Sequence, residues 1–215
     1  EALMGKWVDV AVLGPEAYVL ARRQDPTVEV FGTYSRLKNG IQEAGPGYKS
    51  VLITKKGSKF TTIESLKGSV LALVDPASTS GALIPDNVFS KQIKSPLKEY
   101  FSKVVFSGGH DLSALAVNDG KADAAFVATH RFMETVNAGK VKLDDFNILW
   151  SSPLIPQDPF VYRTALCEDL RKKIVDTFLA VDQTEAGKKY LENVKSEKVV
   201  KMTDADYNVV RDVTK

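Results

Sequence analysis

From residue 8 onward the chain alternates short apolar runs with amphipathic segments, and that alternation limits it to a small set of folds. The runs are "VDVAVL" (8–13), "VEVFGTY" (28–34), "KSVLITKK" (49–56), "SVLALVD" (69–75), "KVVFSG" (103–108), "ADAAFVAT" (122–129) and "FNILWSS" (146–152). Runs of this length, bounded by Gly, Pro and Ser, read as strands. Between them "EAYVLARRQ", "SGALIPDNVFSKQI", "DLSALAVNDG" and "RFMETVNAG" read as helices, and Thr61 or Thr62 suits the cap of a short helix in "TTIESLKG". The expectation is an α/β chain.

An internal echo bears on its division. Gly5-Lys6 precedes the strand at 8–13, and Gly120-Lys121 precedes the strand at 122–129. A spacing of about 115 residues is too long for a solenoid and suits two similar lobes, each with its own sheet, although Gly-Lys-x-Asp is also a common helix-to-strand turn. The prolines at 153, 156 and 159 hold "SSPLIPQDPFVYR" extended as a connector, since each disfavours helix in the residue before it. Residues 146–152 read as the last strand, and residues 166–215 as amphipathic helix. The opening "EALMGKW" reads as the end of a helix, and an upstream strand and helix are expected before Glu1.

Composition excludes several classes. Of 215 residues, 44% are apolar and 26% charged, enough for a sizeable core. Lys plus Arg number 29 against 27 Asp plus Glu, mixed along the chain, which does not favour nucleic acid. The single cysteine, Cys167, allows neither a disulfide framework nor a cysteine-based metal site. No apolar run approaches the roughly 18 residues of a membrane span.

The chemistry-bearing residues cluster at strand ends. In "VDPASTSGALIP", Ser78, Thr79 and Ser80 meet a helix start, where unpaired N–H groups and the helix dipole favour an oxyanion, and Gly81 lets backbone approach a ligand. One of the hydroxyls can equally do no more than cap the helix. His110 follows Gly108-Gly109 and can donate to an anion or cap its own helix. His130 follows "AAFVAT"; two histidines 20 residues apart make a poor zinc site. Tyr48, after Pro46-Gly47, suits an aromatic wall or a loop packing role. Asp158 in the connector suits a hydrogen bond from a protonated ligand, or a turn. Neither a P-loop, a Gly-x-Gly-x-x-Gly fingerprint, a nucleophile elbow nor a catalytic triad is present.

Together "VDVAVLGPEAYVLA", "PGYKSVLIT", "DPASTSGALIP", "SGGHDLSALAVNDGKADAAFV" and "SSPLIPQDPFVYR" resemble the phosphonate-binding family, solute-binding proteins of ABC importers for phosphonates and related reduced-phosphorus oxyanions. The resemblance implies a two-lobed periplasmic-binding fold of class II, with two crossovers and the ligand in the cleft between lobes that close by hinge motion. It implies residues 1–68 plus 160–215 as one lobe, 69–150 as the other and 151–159 as a hinge crossover, with the family's first strand, helix and strand preceding Glu1. It implies that Ser78, Thr79, Ser80 and His110 grip the anion, with Tyr48 and Asp158 beside them. It also implies a periplasmic or surface location, a lipid anchor being compatible with it. A membrane permease is then the partner, with no cofactor, no catalysis of its own and a monomeric state.

One position departs from the pattern: His130 stands where aminoethylphosphonate binders resemble one another in carrying glutamate. One carboxylate and a histidine suit an ammonium poorly, so phosphite, methylphosphonate or another small phosphonate is the expected ligand. Asp158 would accept from a P–OH and disfavour a fully deprotonated oxyanion. A sensory module of the same fold, or an enzyme acting on phosphoesters, are the alternatives.

Overall fold

The computed structural model describes residues 1–213. Its strands are β1 (Val10–Val12), β2 (Val28–Arg36), β3 (Gly47–Tyr48), β4 (Ser50–Lys55), β5 (Val70–Leu73), β6 (Lys103–Phe106), β7 (Ala124–Ala128), β8 (Phe146–Ser151), β9 (Ile155–Pro156), β10 (Phe160–Arg163) and β11 (Ser196–Lys201). The α-helices are α1 (Pro15–Gln24), α2 (Ser90–Ile93), α3 (Leu97–Tyr100), α4 (His110–Asn118), α5 (Thr129–Asn137), α6 (Glu168–Leu179), α7 (Glu185–Asn193) and α8 (Asn208–Val213). The chain forms two compact units: one from Glu1–Asn39, Glu43–Gly47 and Pro156–Asp212, the other built on Gly40–Gln42 and Tyr48–Ile155. The boundary therefore falls at Tyr48 rather than at residue 69. The reason is pairing: β4 lies between β7 and β8 and cannot leave their sheet.

In the second unit a five-stranded sheet has the order β6-β5-β7-β4-β8, with β6, β5 and β7 parallel and β4 antiparallel to its neighbours. Both faces are covered. Leu52, Leu71, Leu73, Ala124 and Phe126 point to one side, where Ala82, Phe89, Leu97 and Phe101 pack on them. Val51, Ile53, Ala72, Ala125 and Val127 point to the other, against Ala114 and Val117 of α4 and Phe132 of α5. Strands buried on both sides read as continuous apolar runs, which is why "AAFVA" lacks alternation. Thr62 Oγ1 accepts from Ser65 N at 3.2 Å ahead of the single turn Glu64–Leu66, whose N-cap position is Ile63 rather than Thr61 or Thr62.

The first unit is built differently. Its sheet, β1-β10-β2-β11, is antiparallel throughout, and Phe31, Phe160 and Val199 form its core with Ile174, Val175 and Phe178 from α6 packed against them. Two expectations are corrected here. "FVYR" is not merely connector but β10, an inner strand, and residues 166–213 are not all helix, because β11 pairs with β2 along 196–201. "SEKVVK" hides its strand character because only Val199 and Ser196 are buried, while its charges line a sheet edge as charges on edge strands commonly do. The echoed Gly-Lys turns also differ. Lys6 takes φ +62° at the first and Gly120 φ +70° at the second, so the left-handed residue is shifted by one position.

Phe126 is fully buried and meets Phe89 edge-on at 5.1 Å and Trp150 at 5.8 Å. Phe126→Ala is expected to cost about 3–5 kcal/mol, read as a lowered urea midpoint; a loss under about 1 kcal/mol would show that the site collapses around the cavity.

Candidate functional site

The connections from β5, β6 and β7 determine where a ligand can sit. The helical stretch 79–93 returns from β5 to β6 on one face of the sheet, and α4 carries the chain from β6 to β7 across the other. Between β5 and β7 the connections thus diverge to opposite faces. Open parallel sheets bind ligands at such a point, beyond the carboxyl ends of the strands. Ser78, Thr79 and Ser80 follow β5, His110 follows β6, and His130 follows β7.

The turn after β5 is set by its residues. Asp75 Oδ1 accepts from Ala77 N at 2.9 Å and the Asp75 carbonyl accepts from Ser78 N at 2.9 Å, closing a turn around Pro76. Ser78 is the helix N-cap, its Oγ accepting from Gly81 N at 3.1 Å. As a hydroxyl it keeps its hydrogen to donate. The helix then opens in two π-type turns, Thr79–Leu83 and Pro85–Phe89. Pro85 explains the first: it has no N–H for the Gly81 carbonyl, and that carbonyl instead accepts Val74 N–H at 3.0 Å. Helix and strand approach so closely here that a Cβ on Gly81 would lie 2.4 Å from Val74 Cβ. Gly81 is therefore required for packing on Val74, and the sequence reading of it as a ligand-approach residue is replaced by that contact. Thr79 and Ser80 are buried, and Ser50 Oγ donates to the Ser80 carbonyl at 2.6 Å.

His110 is the first residue of α4, delivered by Gly108 at φ +87°, a conformation that favours glycine. It does not cap its own helix. Its Nδ1 accepts Ala128 N–H at 3.0 Å, the end of β7, so the ring proton resides on Nε2. Burial, and secondarily the charge of Arg131, lower its pKa to about 4. At neutral pH it is a neutral donor.

His130, in the first turn of α5, is 5% exposed and meets the Tyr48 ring edge-on at 4.7 Å and 84°. Thr129 beside it donates Oγ1 to Gln42 Oε1 and accepts from Lys49 N at 3.1 Å, tying α5 to the start of β4. These contacts bring Tyr48 and His130 together at the end of the sheet where His110 lies. Asp158 is placed in the other unit, where its carbonyl accepts Thr33 Oγ1 at 2.7 Å beside β10.

Sequence reasoning missed the groups behind His110. A cavity of about 340 Å³ is lined by His110, Asp111, Arg131, Glu134 and Lys140, among others. Lys140 Nζ is 3.1 Å from Asp111 Oδ2 and Arg131 Nη1 is 3.1 Å from Glu134 Oε2, so each cation has a carboxylate partner. The one available signal was that "HD" and "HRFME" both open helices. Among the described residues no group of three His, Cys, Asp or Glu is placed to hold a metal.

The turn and helix start follow β5, and the neutral imidazole follows the neighbouring β6. The family model described as "ABC transporter, phosphonate, periplasmic substrate-binding protein" matches residues 1–207. The chain belongs to that family. It is 36% identical over 157 residues to the phosphonates-binding periplasmic protein of Escherichia coli, covering 71% of this chain and 46% of that protein. It is 28% identical to the phosphate-import protein PhnD of Mycolicibacterium smegmatis, covering 99% of this chain and 70% of that one. The chain thus spans about half of the first relative's length. A binding protein component of an ABC phosphonate transporter from Pseudomonas aeruginosa superposes with a TM-score of 0.86 at 26% identity, over 99% of this chain and 69% of that one. PhnD1 of Prochlorococcus marinus, solved with methylphosphonate, has the same fold, with a TM-score of 0.83 at 22% identity over 99% of this chain and 79% of that one.

Two expectations follow. Gly81→Ala should cost about 1–3 kcal/mol through the clash with Val74, measured by urea unfolding, and unaltered stability would contradict the close approach. His110 is neutral in the folded chain down to about 4, whereas an unfolded chain protonates it near the ordinary 6.5. Between those values the unfolded chain binds more protons, so this residue's contribution to stability falls as pH drops from 6.5 toward 4. In His110→Gln that part of the acid sensitivity should be lost; an NMR titration midpoint near 6.5 for His110 would refute the assignment.

Proposed function

We propose that this chain is the substrate-binding part of an importer for a small phosphorus oxyanion, acting by binding and without catalysis. The observation that carries the reading is His110. Its Nε2–H is a donor kept neutral by burial at the end of β6, and Ser78, Thr79 and Ser80 open the helix at the end of the neighbouring β5. Such donors recognise P–O oxygens by hydrogen bonding without an added formal charge. Tyr48 and His130 form the wall, and Asp158 supplies the carboxylate for a P–OH. The relatives' names support the ligand class: phosphonates for the E. coli protein, methylphosphonate in the Prochlorococcus structure. The location is periplasmic or on the outer surface, a lipid anchor being compatible with it, and the protein delivers its ligand as a monomer to a membrane permease. No helix among the described residues is long and apolar enough to cross a membrane.

Within that class, His130 in place of a carboxylate favours an anion without a distant amine: phosphite, methylphosphonate or another small phosphonate. Inorganic phosphate is the second reading, because the mycobacterial phosphate-import relative matches 99% of the chain. Calorimetric titration with phosphite, methylphosphonate, 2-aminoethylphosphonate, phosphate and sulfate separates these. Phosphite or methylphosphonate should rank first and Asp158→Ala should weaken it by about tenfold or more. Phosphate ranking first would establish the second reading, and 2-aminoethylphosphonate ranking first would overturn the role given to His130. His130→Glu should raise affinity for 2-aminoethylphosphonate relative to methylphosphonate. An unchanged ratio would remove His130 from the ligand wall.

A further inference from the structure

In the second unit, β6 is the edge of its sheet and among the described residues pairs only with β5. Its residues alternate, so that Val104 and Phe106 share a face, and Val104 packs on the core there while Phe106, at the strand's end, remains 53% exposed. A cavity of about 240 Å³ opens beside Phe106, walled by Leu73 at the end of β5 and Pro76 after it, by Ala82 and Leu83 of the helix start, and by Leu97 of α3. It is smaller than the roughly 300–1,000 Å³ of small-molecule sites and suits one or two apolar side chains. The rim is basic. Lys98 lines the cavity, Lys103 begins β6, and Lys91 and Lys94 line a neighbouring depression that shares Asp86 with it. Against these four lysines stand Asp86 and, on α3, Glu99.

We propose that this groove docks an extended segment of the importer's membrane permease, an apolar side chain flanked by acidic residues, laid along the open edge of β6. The proposal rests on the transport reading above. Main-chain pairing to a free edge supplies affinity, a pocket for an alternate side chain supplies specificity, and an exposed aromatic beside a pocket is a typical energetic anchor. The charge decides the occupant. Two copies of this face would oppose lysine rims, whereas an acidic segment complements them. The placement also gives the contact a purpose: Pro76, Ala82 and Leu83 belong to the same turn and helix start that present Ser78, Thr79 and Ser80. A segment in the groove touches that turn from behind, without entering the anion's place.

The test is reconstitution of the full-length protein with its importer in proteoliposomes, comparing wild type with Phe106→Asp and Lys98→Glu. Binding of phosphite, methylphosphonate and phosphate is measured on the same preparations. Both residues are exposed, so folding should survive, and affinity should stay within about twofold. Stimulation of ATP hydrolysis should fall about tenfold or more in Phe106→Asp and measurably in Lys98→Glu. Full stimulation by both variants overturns the groove, as does a parallel loss of anion affinity, which would assign Phe106 to support of the turn. A wild-type dimer that Phe106→Asp dissociates makes the face a self-interface and overturns it too. A wild type that binds none of the anions removes the receptor reading itself, and the groove proposal with it.

Discussion

The close approach of Gly81 to Val74 is the contact on which the site depends. Because Pro85 cannot donate to the Gly81 carbonyl, that carbonyl turns to Val74 N–H, and the helix start is held by a hydrogen bond to the last residue before the turn. Only a residue without Cβ fits there. The geometry of the three hydroxyl residues is thus fixed by two neighbours that have no polar side chain at all. π-type turns often occur at functional sites, and here a proline in the second turn supplies a specific cause.

His110 is held in a similar way. A backbone N–H from Ala128 occupies one ring nitrogen and thereby commits the proton to the other. The bond joins the start of α4 to the end of β7, two elements that flank the divergence of the sheet's connections. Tautomer, ring orientation and protonation state come from one contact and from burial, with Arg131 reinforcing the last.

Much of this was legible from the residues. The alternation of "SVLALVD", "KVVFSG" and "ADAAFVAT" with helices led to an α/β reading, which the parallel β5, β6 and β7 fulfil, and the glycines before His110 marked a turn whose left-handed residue, Gly108, only the structure shows. Other features were not legible. β4 reads as a strand but nothing local shows that its partners lie about 75 and 100 residues away, so the unit boundary was misplaced from 48 to 69. β11 was hidden by lysines on an edge, and "FVYR" was masked by three prolines just before it. Gly81 was seen as important for a plausible but different reason, because a tertiary contact with Val74 leaves no trace in spacing. The ion pair of Asp111 with Lys140 joins α4 to the segment after α5, which periodicity does not encode, whereas Arg131 and Glu134 stand three apart on α5 and their pairing was open to a helical reading of "HRFME".

On the proposed reading, the paired cations and the uncharged imidazole have a consequence for how the ligand would leave. An anion held by neutral dipoles is attracted over a short range only, and screening by dissolved salt changes such attraction little. Affinities compared at two ionic strengths would therefore differ less than for a site lined by unpaired arginines. On the proposed reading, release would then depend on moving the donors apart more than on any change in the charge around the anion.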